Sequence, residues 1–219
     1  MPSARFFRQI GFLVVPNFLE PRFVADLLRE MEVAPKEKAT VVKAGVGDCL
    51  DENIRRVGTL ILPKGVSVSL KERLRGTMPD LEKHFKVALA GCEHLQYLVY
   101  RPGDFFKPHA DGGKSAGNSP ETRQRRVSVV IFLNRESEES AEGTYGQGRL
   151  TFYGLLDGPQ FERCGFELTP EPGLLIAFPS DKVHEVTPVS HGQRYTVVTW
   201  FYGPDGEPKS ETAGLVGMN

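Results

Sequence analysis

Residues 100–111 read Tyr-Arg-Pro-Gly-Asp-Phe-Phe-Lys-Pro-His-Ala-Asp and combine an extended pattern with one glycine turn. Residues two apart on a strand point to the same face, so His109 and Asp111 can offer an imidazole and a carboxylate to one point in space. A second stretch, residues 184–195, reads His-Glu-Val-Thr-Pro-Val-Ser-His-Gly-Gln-Arg-Tyr; it begins with His184 and carries Arg194 ten residues on. Two histidines and one carboxylate at an open site suit non-haem Fe(II) and leave positions free for an organic chelator and O2.

The chain around these two stretches has the pattern of a mainly β protein. From residue 95 onward, short apolar runs alternate with Gly, Pro and Asp, which favours a sandwich or barrel over βαβ units. We predict seven strands, at residues 95–101, 106–111, 127–133, 149–153, 174–178, 184–189 and 193–202. Seven short strands preceded by helices indicate a jelly-roll core, the double-stranded β-helix, in an overall mainly β (α+β) fold.

The N-terminal part predicts helices that buttress one sheet. A short strand at residues 12–15 is followed by apolar residues at helical spacing over 18–32, and by a strand at 57–62. A second helical region spans about 67–89 with a break near Pro79. Residues 35–56 are mixed in character and predict a mobile loop.

Bulk properties predict one domain of 219 residues, with an N-terminal part at 1–94, a catalytic core at 95–203 and a tail at 204–219. The net charge of -1, from 27 basic and 28 acidic side chains, gives no reason to expect a nucleic-acid or anionic-membrane partner. Three cysteines without Cys-x-x-Cys spacing fit a reducing compartment, and the apolar run at 10–15 is too short to span a membrane. We therefore expect a soluble, cytoplasmic protein, whose oligomeric state the sequence leaves open.

Two long polar loops interrupt the predicted strands, at residues 112–126 and 134–147. Loops of this length in a compact domain are usually either functional or disordered. The charged residues of these loops are interpreted as a solvated face or, alternatively, as a rim that guides the substrate. Arg55 and Arg56, at the end of the 35–56 segment, would belong to the same rim.

In its ordered set of motifs, the chain resembles the prolyl 4-hydroxylase branch of the Fe(II)/2-oxoglutarate-dependent oxygenases. The resemblance covers roughly residues 95–202 and, more loosely, the helical N-terminal part. It rests on a tyrosine before a glycine turn, a His-x-Asp pair, a distal histidine and a cation ten residues later. The matching residues are Tyr100, Gly103, His109, Asp111, Gly148, Arg149, Leu150, Thr151, His184, Arg194 and Trp200.

The resemblance implies that His109, Asp111 and His184 hold Fe(II). It also implies that 2-oxoglutarate and O2 are cosubstrates, with ascorbate as a further candidate, and that the reaction hydroxylates an unactivated C–H bond with release of succinate and CO2. Arg194 would bind the distal carboxylate of 2-oxoglutarate, since a buried cation requires an anion and a guanidinium can hold one with two hydrogen bonds. Tyr100 and Thr196 would lie beside the same cosubstrate.

Some relatives have tyrosines where this chain has Phe106, near the substrate, and Phe132, near the 2-oxoglutarate tail. Arg194 would then hold the tail with less help from hydroxyl groups. The most favoured substrate is a prolyl residue of a protein or peptide; a free amino acid or another small molecule is the alternative.

Several alternatives remain open from the sequence. Arg194 could form an internal salt bridge, and Tyr100 could be an ordinary core aromatic. The chain could be a non-catalytic jelly-roll binding module, for which an incomplete ligand set is expected. A Zn(II) hydrolase with the same three ligands would need a nearby acid or base such as Glu185, and gives no role to Arg194. Otherwise Glu185, beside His184, is interpreted as a group outside the ligand set.

Overall fold

The structure, a computed structural model, describes residues 4–39, 41–43, 47–49, 51–113, 122–161 and 163–204. Its helices are α1 (Ala4–Gln9), α2 (Pro21–Val33), α3 (Lys64–Gly76) and α4 (Met78–Phe85). Its strands are β1 (Leu13–Val15), β2 (Lys36–Lys38), β3 (Val41–Lys43), β4 (Gly47–Cys49), β5 (Arg55–Arg56), β6 (Gly58–Leu60), β7 (Gly91–Cys92), β8 (Gln96–Tyr100), β9 (Phe105–His109), β10 (Arg125–Phe132), β11 (Tyr145–Gln147), β12 (Leu150–Phe152), β13 (Phe166–Leu168), β14 (Leu175–Pro179), β15 (His184–Val186), β16 (Val189–Gly192) and β17 (Arg194–Tyr202).

Two antiparallel sheets carry the fold. The larger has the strand order β1-β14-β10-β17-β8-β6-β2, with β7 pairing with the far end of β17. The smaller has the order β13-β12-β15-β9-β5, and the pairs β11-β16 and β3-β4 form separate ribbons. Strands distant in sequence are neighbours in both sheets, so residues from the two stretches quoted first meet in space.

The space between the sheets is filled by aromatic side chains. Phe12 and Phe152 pack edge to face, with ring centroids 5.0 Å apart, and Phe152 packs in the same way on Phe178 at 4.9 Å. Phe7, from α1, packs against Phe12 and closes this core from one end. The burial of large apolar side chains, each contributing about 1.5–3 kcal/mol, supplies the main stabilisation of this interface.

The helices α2, α3 and α4 pack on the outer face of the larger sheet. Val24, Leu27 and Met31 recur at helical spacing and form the buried side of α2. Proline is favoured at the first position of a helix because it has no N–H to satisfy there, and Pro21 begins α2 in this way. The predicted N-terminal helices that buttress one sheet are therefore confirmed.

The break predicted near Pro79 is present: the helical region forms two helices that meet at Thr77, because a proline at the start of α4 cannot continue α3. The structure differs from the sequence predictions in three other places. The described parts of residues 35–56 form short strands, where we expected a mobile loop. Helix α1 and the strands β7, β11 and β13 were not predicted. The run expected at 184–189 is divided between β15 and β16.

The seven strands predicted from residue 95 onward are all present, and the mainly β architecture is confirmed. The division into a single domain with three parts stays a prediction, and the tail from residue 205 lies outside the described residues. Among the described residues, no helix has the length and apolar character needed to cross a membrane.

Candidate active site

The strands β9 and β15 are neighbours in the smaller sheet and bring two histidines together. His184, at the start of β15, is the direct cross-strand partner of His109, at the end of β9. Asp111 follows β9 by two residues. One potential ligand atom from each of these three residues lies within 4.8 Å of the others. The structure thus assembles the three predicted metal ligands in one place.

Main-chain hydrogen bonds fix the orientation of both imidazole rings. Nδ1 of His109 lies 2.7 Å from the carbonyl oxygen of Lys107, and Nδ1 of His184 lies 2.9 Å from that of Lys182. A carbonyl oxygen can only accept, so each Nδ1 carries the proton and donates it. Each Nε2 is then left with a free lone pair, which is the arrangement typical of metal-bound histidines.

The two Nε2 atoms face the carboxylate of Asp111. Nε2 of His109 lies 3.5 Å from one carboxylate oxygen, and Nε2 of His184 lies 3.5 Å from the other. These distances are too long for good hydrogen bonds, whereas ligand atoms that share one divalent ion lie about 3 Å apart. His109 is 19% exposed against 6% for His184, so the triad is approached from the His109 side.

The charges at the triad suit a metal cation. Burial lowers the pKa of His184 to about 4, although the Asp111 carboxylate acts in the opposite direction, so this imidazole is neutral at physiological pH. Burial by itself would raise the pKa of Asp111, but the charge that His184 carries when it is protonated, together with His109 and the Arg125 guanidinium, holds this pKa well below its ordinary value. One carboxylate and two neutral imidazoles are the protonation states that a divalent ion requires.

Arg125 holds the main chain of Asp111 in place. Its guanidinium donates to the Asp111 carbonyl oxygen at 3.2 Å, binds both carboxylate oxygens of Glu93 at 2.6 and 2.8 Å, and lies 3.7 Å from the centre of the Trp200 ring. The adjacent Gly112 permits this approach, because a Cβ at residue 112 would lie only 2.9 Å from the Arg125 side chain. From the sequence, Arg125 was assigned no role beyond its place at the end of a charged loop.

An aromatic wall lies on the exposed side of the triad. The ring of Phe106 stacks on His109 with centroids 3.5 Å apart and an interplanar angle of 17°. The guanidinium of Arg55 lies over the same Phe106 ring, 4.9 Å from its centre. On the buried side, Phe178 packs edge-on against His184 at 5.0 Å. The metal ligands are therefore held between aromatic rings on both sides.

Arg194 begins β17 and is 2% exposed. Its guanidinium lies 5.1 Å from the ring centre of Tyr100 and 5.3 Å from that of Phe132, and one of its amino groups lies 3.5 Å from the hydroxyl of Thr196. None of the described residues accepts a hydrogen bond from its Nε, and no acidic side chain among them pairs with it. The alternative of an internal salt bridge at Arg194 is therefore wrong for the described part of the chain.

Tyr100, predicted beside the cosubstrate, lies near both buried arginines. It is the cross-strand partner of Arg194 and is 2% exposed. Burial raises the pKa of its hydroxyl, while the positive charges of Arg55 and Arg194 act in the opposite direction. Tyr100 is thus a core aromatic, which was one of the two interpretations of this residue, and it is also a neighbour of the Arg194 guanidinium.

Tyr145 is a neighbour of Arg194 that the sequence analysis did not find. Burial raises the pKa of this tyrosine, while the charge of Arg194 and a hydrogen bond with its guanidinium act in the opposite direction. Tyr145 lies on β11, which pairs with β16 just before β17 begins. An aromatic residue next to the glycines at 146 and 148, in an otherwise acidic loop, is the one signal that the sequence offered.

Glu185 points away from the metal ligands. It pairs across the strands with Thr151, so its side chain lies on the face opposite to His184, and its carboxylate accepts a hydrogen bond from the hydroxyl of Tyr153. This agrees with its interpretation as a group outside the ligand set. It also leaves a Zn(II) hydrolase without the acid or base which that alternative needs.

The predicted substrate rim is only partly described. Arg55 is buried on β5 and covers Phe106, so its place in an exposed rim is wrong, whereas Arg56 is exposed. Residues 114–121 of the first polar loop lie outside the described residues. In the second loop, Glu136 forms a salt bridge with Arg149 at 2.8 Å and is therefore a structural contact. The exposed acidic residues of that loop are Glu138, Glu139 and Glu142.

The donor set fits Fe(II) together with an anionic chelator. Two imidazole nitrogens and one carboxylate leave coordination positions open and match the two-histidine, one-carboxylate ligand set of non-haem iron enzymes. No acid among the described residues neutralises the buried guanidinium of Arg194. It is therefore available to bind a carboxylate group of the chelator.

Comparisons with known proteins agree with this site. Residues 95–202 match the family described as the 2OG-Fe(II) oxygenase superfamily. A PKHD-type hydroxylase of Klebsiella pneumoniae (strain 342) is 24% identical over 193 residues, which is 85% of this chain and 76% of that protein.

Solved structures of low sequence identity share the fold. A crystal structure of a Pseudomonas putida prolyl-4-hydroxylase matches with a TM-score of 0.66 at 20% identity, and covers 90% of this chain and 95% of that one. A prolyl hydroxylase from Trichoplax adhaerens, in complex with a hypoxia inducible factor oxygen degradation domain peptide fragment, matches with a TM-score of 0.64 at 18% identity over 92% and 87% of the two chains. The jelly-roll prediction is confirmed by this likeness.

Proposed function

We propose, since this chain belongs to the 2OG-Fe(II) oxygenase superfamily, that it hydroxylates a prolyl residue of a peptide or protein. The observation that carries the proposal is the convergence of three ligand atoms within 4.8 Å beside a buried arginine that no acid among the described residues neutralises. The enzyme uses Fe(II), 2-oxoglutarate and O2, and forms succinate and CO2 with the hydroxylated product.

In this proposal His109, Asp111 and His184 hold the iron. When bound, Fe(II) together with 2-oxoglutarate supplies the activation of O2 that breaks an unactivated C–H bond. The protein's part is to keep both Nε2 lone pairs aimed at one point through the Nδ1 hydrogen bonds, and to keep Asp111 ionised. No side chain has to act as a general base.

Arg194 is proposed to bind the distal carboxylate of 2-oxoglutarate. A guanidinium presents two parallel N–H groups to a carboxylate, and in a site of low polarity each of these charge-assisted hydrogen bonds is strong. The neighbours of Arg194 are the rings of Tyr100 and Phe132 and the hydroxyl of Thr196, so a bound carboxylate meets one cation and little bulk water. Ascorbate stays a prediction without a residue assigned to it.

A prolyl peptide suits the exposed side of the triad. Phe106 is half-buried and stacks on His109, so its ring forms part of the wall that a substrate meets first. Lys107 and Pro108, which follow it, are exposed, which leaves room for a chain that continues past the reacting residue. An apolar pyrrolidine ring packs favourably on an aromatic face. The Trichoplax adhaerens enzyme that shares this fold carries a peptide fragment.

The experiment that tests the proposal compares peptidyl with free proline. The protein, loaded with Fe(II) under 2-oxoglutarate and O2, is incubated with a library of prolyl peptides or with free L-proline. We expect 2-oxoglutarate-dependent succinate release and a gain of one oxygen on a peptide, measured by mass spectrometry. Oxidation of free proline alone would contradict the peptide assignment, and the absence of any 2-oxoglutarate binding would favour a non-catalytic binding module.

Matched histidine variants test the metal ligands in the same assay. His109→Ala and Asp111→Ala are expected to abolish succinate release, because each removes one of three ligands. His84→Ala is the control, since His84 is exposed on α4, where it bonds to the carbonyl oxygen of Gly11 and packs edge-on against Phe85, away from the three ligands. Turnover that survives in the His109 variant would show that the iron is held elsewhere.

A further inference from the structure

The buried guanidinium of Arg194 lacks the hydroxyl partner that Phe132 could have supplied. Phe132 is the cross-strand partner of Thr196, and its ring lies 5.3 Å from the guanidinium carbon, but a phenyl ring offers no hydrogen-bond donor. A carboxylate has about four lone-pair positions, and a bidentate guanidinium fills about two of them. In a buried site the others require further donors, because an unsatisfied buried acceptor is costly.

We propose that Tyr145 donates its phenolic O–H to the distal carboxylate of 2-oxoglutarate, together with the guanidinium of Arg194. This role rests on the proposed function and assigns to Tyr145 the specificity for a dicarboxylic cosubstrate. Thr196, 3.5 Å from the guanidinium, provides one hydroxyl at this place, and Tyr145 provides the second.

The side chains of Tyr145 and Arg194 pack against the same point of the main chain. A Cβ built on Gly148 would lie 3.2 Å from Cδ of Arg194 and 3.7 Å from a ring carbon of Tyr145, and 2.6 Å from Cγ2 of Val189. Tyr145 is 1% exposed and Arg194 is 2% exposed, so the contact between them is shielded from water. The glycine at residue 148, whose φ is +59°, leaves the space in which the two side chains meet.

The ribbon that carries Tyr145 is fixed to the start of β17. Tyr145 is the cross-strand partner of Gly192, and its N–H and carbonyl bond to residues 135 and 137 at 3.2 and 2.8 Å. The side-chain amide of Asn134 donates to the carbonyl oxygens of Gly143 and Gln193 at 3.1 and 2.8 Å. Tyr145 is therefore held beside Arg194 before any ligand binds.

The hydrogen-bonding capacity of a phenol fits this place. Its oxygen can accept from a guanidinium N–H of Arg194 while its own proton remains available. The distal carboxylate of 2-oxoglutarate, placed against the guanidinium, can therefore accept a hydrogen bond from that O–H while the contact between Tyr145 and Arg194 is kept. A 2-oxo acid without a distal carboxylate makes no such contact.

The test is the affinity of Tyr145→Phe for two 2-oxo acids, measured by calorimetry on the Fe(II)-loaded protein under nitrogen. Loss of one hydrogen bond to a charged group is expected to raise the Kd for 2-oxoglutarate about tenfold. The affinity for pyruvate, measured by competition, is expected to stay unchanged, because pyruvate has no distal carboxylate. Tyr97→Phe is the control: its hydroxyl bonds to Ser67 at 3.2 Å, under α3, and its removal leaves both affinities unchanged.

Each outcome of this test has one meaning. A tenfold loss for 2-oxoglutarate with pyruvate unchanged supports the role of Tyr145. An unchanged affinity for 2-oxoglutarate overturns it, and so does an equal loss for both acids, because that loss lies at the metal or in the fold. If the wild-type protein binds no 2-oxoglutarate at all, the proposed function fails, an outcome that the wild-type titration identifies before any variant is compared.

Discussion

Replacing Arg194 with methionine separates a ligand-binding arginine from a structural one. Arg194→Met keeps the length of the side chain and removes a buried charge that no acid among the described residues balances. The removed charge gives up two cation–π contacts, with ring centres at 5.1 and 5.3 Å, each contributing about 0.5–2 kcal/mol. It also gives up the hydrogen bonds of the guanidinium with Tyr145 and Thr196, each contributing about 0.5–1.5 kcal/mol. Against this, the desolvation of a buried ion costs several kcal/mol. The free energy of unfolding of the metal-free protein is therefore expected to stay within about 1 kcal/mol of wild type, or to rise.

The affinity for 2-oxoglutarate, in contrast, should fall sharply in Arg194→Met. Two charge-assisted hydrogen bonds of about 1.5 kcal/mol or more each contribute about 3 kcal/mol, so Kd should rise by more than about a hundredfold. Urea unfolding followed by circular dichroism measures the first quantity, and calorimetry on the Fe(II)-loaded protein under nitrogen measures the second. Arg194→Met should accordingly be a well-folded protein that cannot hold its cosubstrate.

The matched control is Arg125→Met, which removes a half-buried arginine that does have an acidic partner, Glu93. That variant should lose about 1–3 kcal/mol of stability, since it leaves a carboxylate without its bidentate partner. If Arg194→Met instead unfolds with a loss of about 3 kcal/mol or more, as expected on breaking a buried ion pair, the reasoning is refuted and Arg194 is structural. An unchanged affinity for 2-oxoglutarate would refute it as well.

Three further predictions use other parts of the site. His184→Ala is expected to abolish the rise in melting temperature that Mn(II) gives the wild-type protein; a shift that persists in thermal melts would place the metal elsewhere. Gly148→Ala, whose Cβ would lie 2.6 Å from the Val189 side chain and 3.2 Å from that of Arg194 at a φ of +59°, should lower stability by about 1–2 kcal/mol and weaken 2-oxoglutarate binding, both measured as above. Burial and the bond to Glu185 raise the pKa of Tyr153 to about 12 from 10, so the stability that its protonated form contributes is complete below pH 10 and is lost as the pH rises to 12. In Tyr153→Phe, the free energy of unfolding measured in urea should depend less on pH between 10 and 12 than in the wild type. An unchanged dependence on pH would contradict the assignment.

The proposed metal ligands could be predicted from the sequence because the spacing of two of them is set by the geometry of a short stretch of chain. His109 and Asp111 are two positions apart in the sequence, and the strand that ends at His109 supplies the direction in which they point. His184 could be named because it begins a strand-like run and because the resemblance pairs such a histidine with a cation ten residues later, here Arg194 at the start of β17. What the sequence could not provide is the pairing of His184 with His109, which depends on the order of strands in a sheet.

The residues that were missed are those whose role depends on non-local packing. Tyr145 lies in a loop that is acidic in sequence, and it reaches Arg194 only because β11 pairs with β16 and Asn134 bonds across to Gln193. Arg125 lies within a run of basic residues that is interpreted as solvated, yet its place in the sheet turns it onto Glu93 and the main chain of the metal site. Charge patterns in a sequence do not distinguish a solvated cation from one that a fold turns inward.

The metal site owes its shape to the protein main chain, and this bears on what the ion can contribute. Each histidine is oriented by a hydrogen bond to a carbonyl two residues earlier, and the two are joined by the pairing of β9 with β15. Asp111 is held through its own carbonyl by Arg125. All of these contacts join groups of the protein itself, whereas in a small structural zinc domain the ligands have no fixed arrangement until metal binds and binding energy becomes folding energy. Here the aromatic core between the two sheets supplies the folding energy. The free energy of metal binding is therefore not needed for folding. The ion can neutralise the Asp111 charge and hold the chelator, and a catalytic centre requires this because it exchanges its ligands in every turnover.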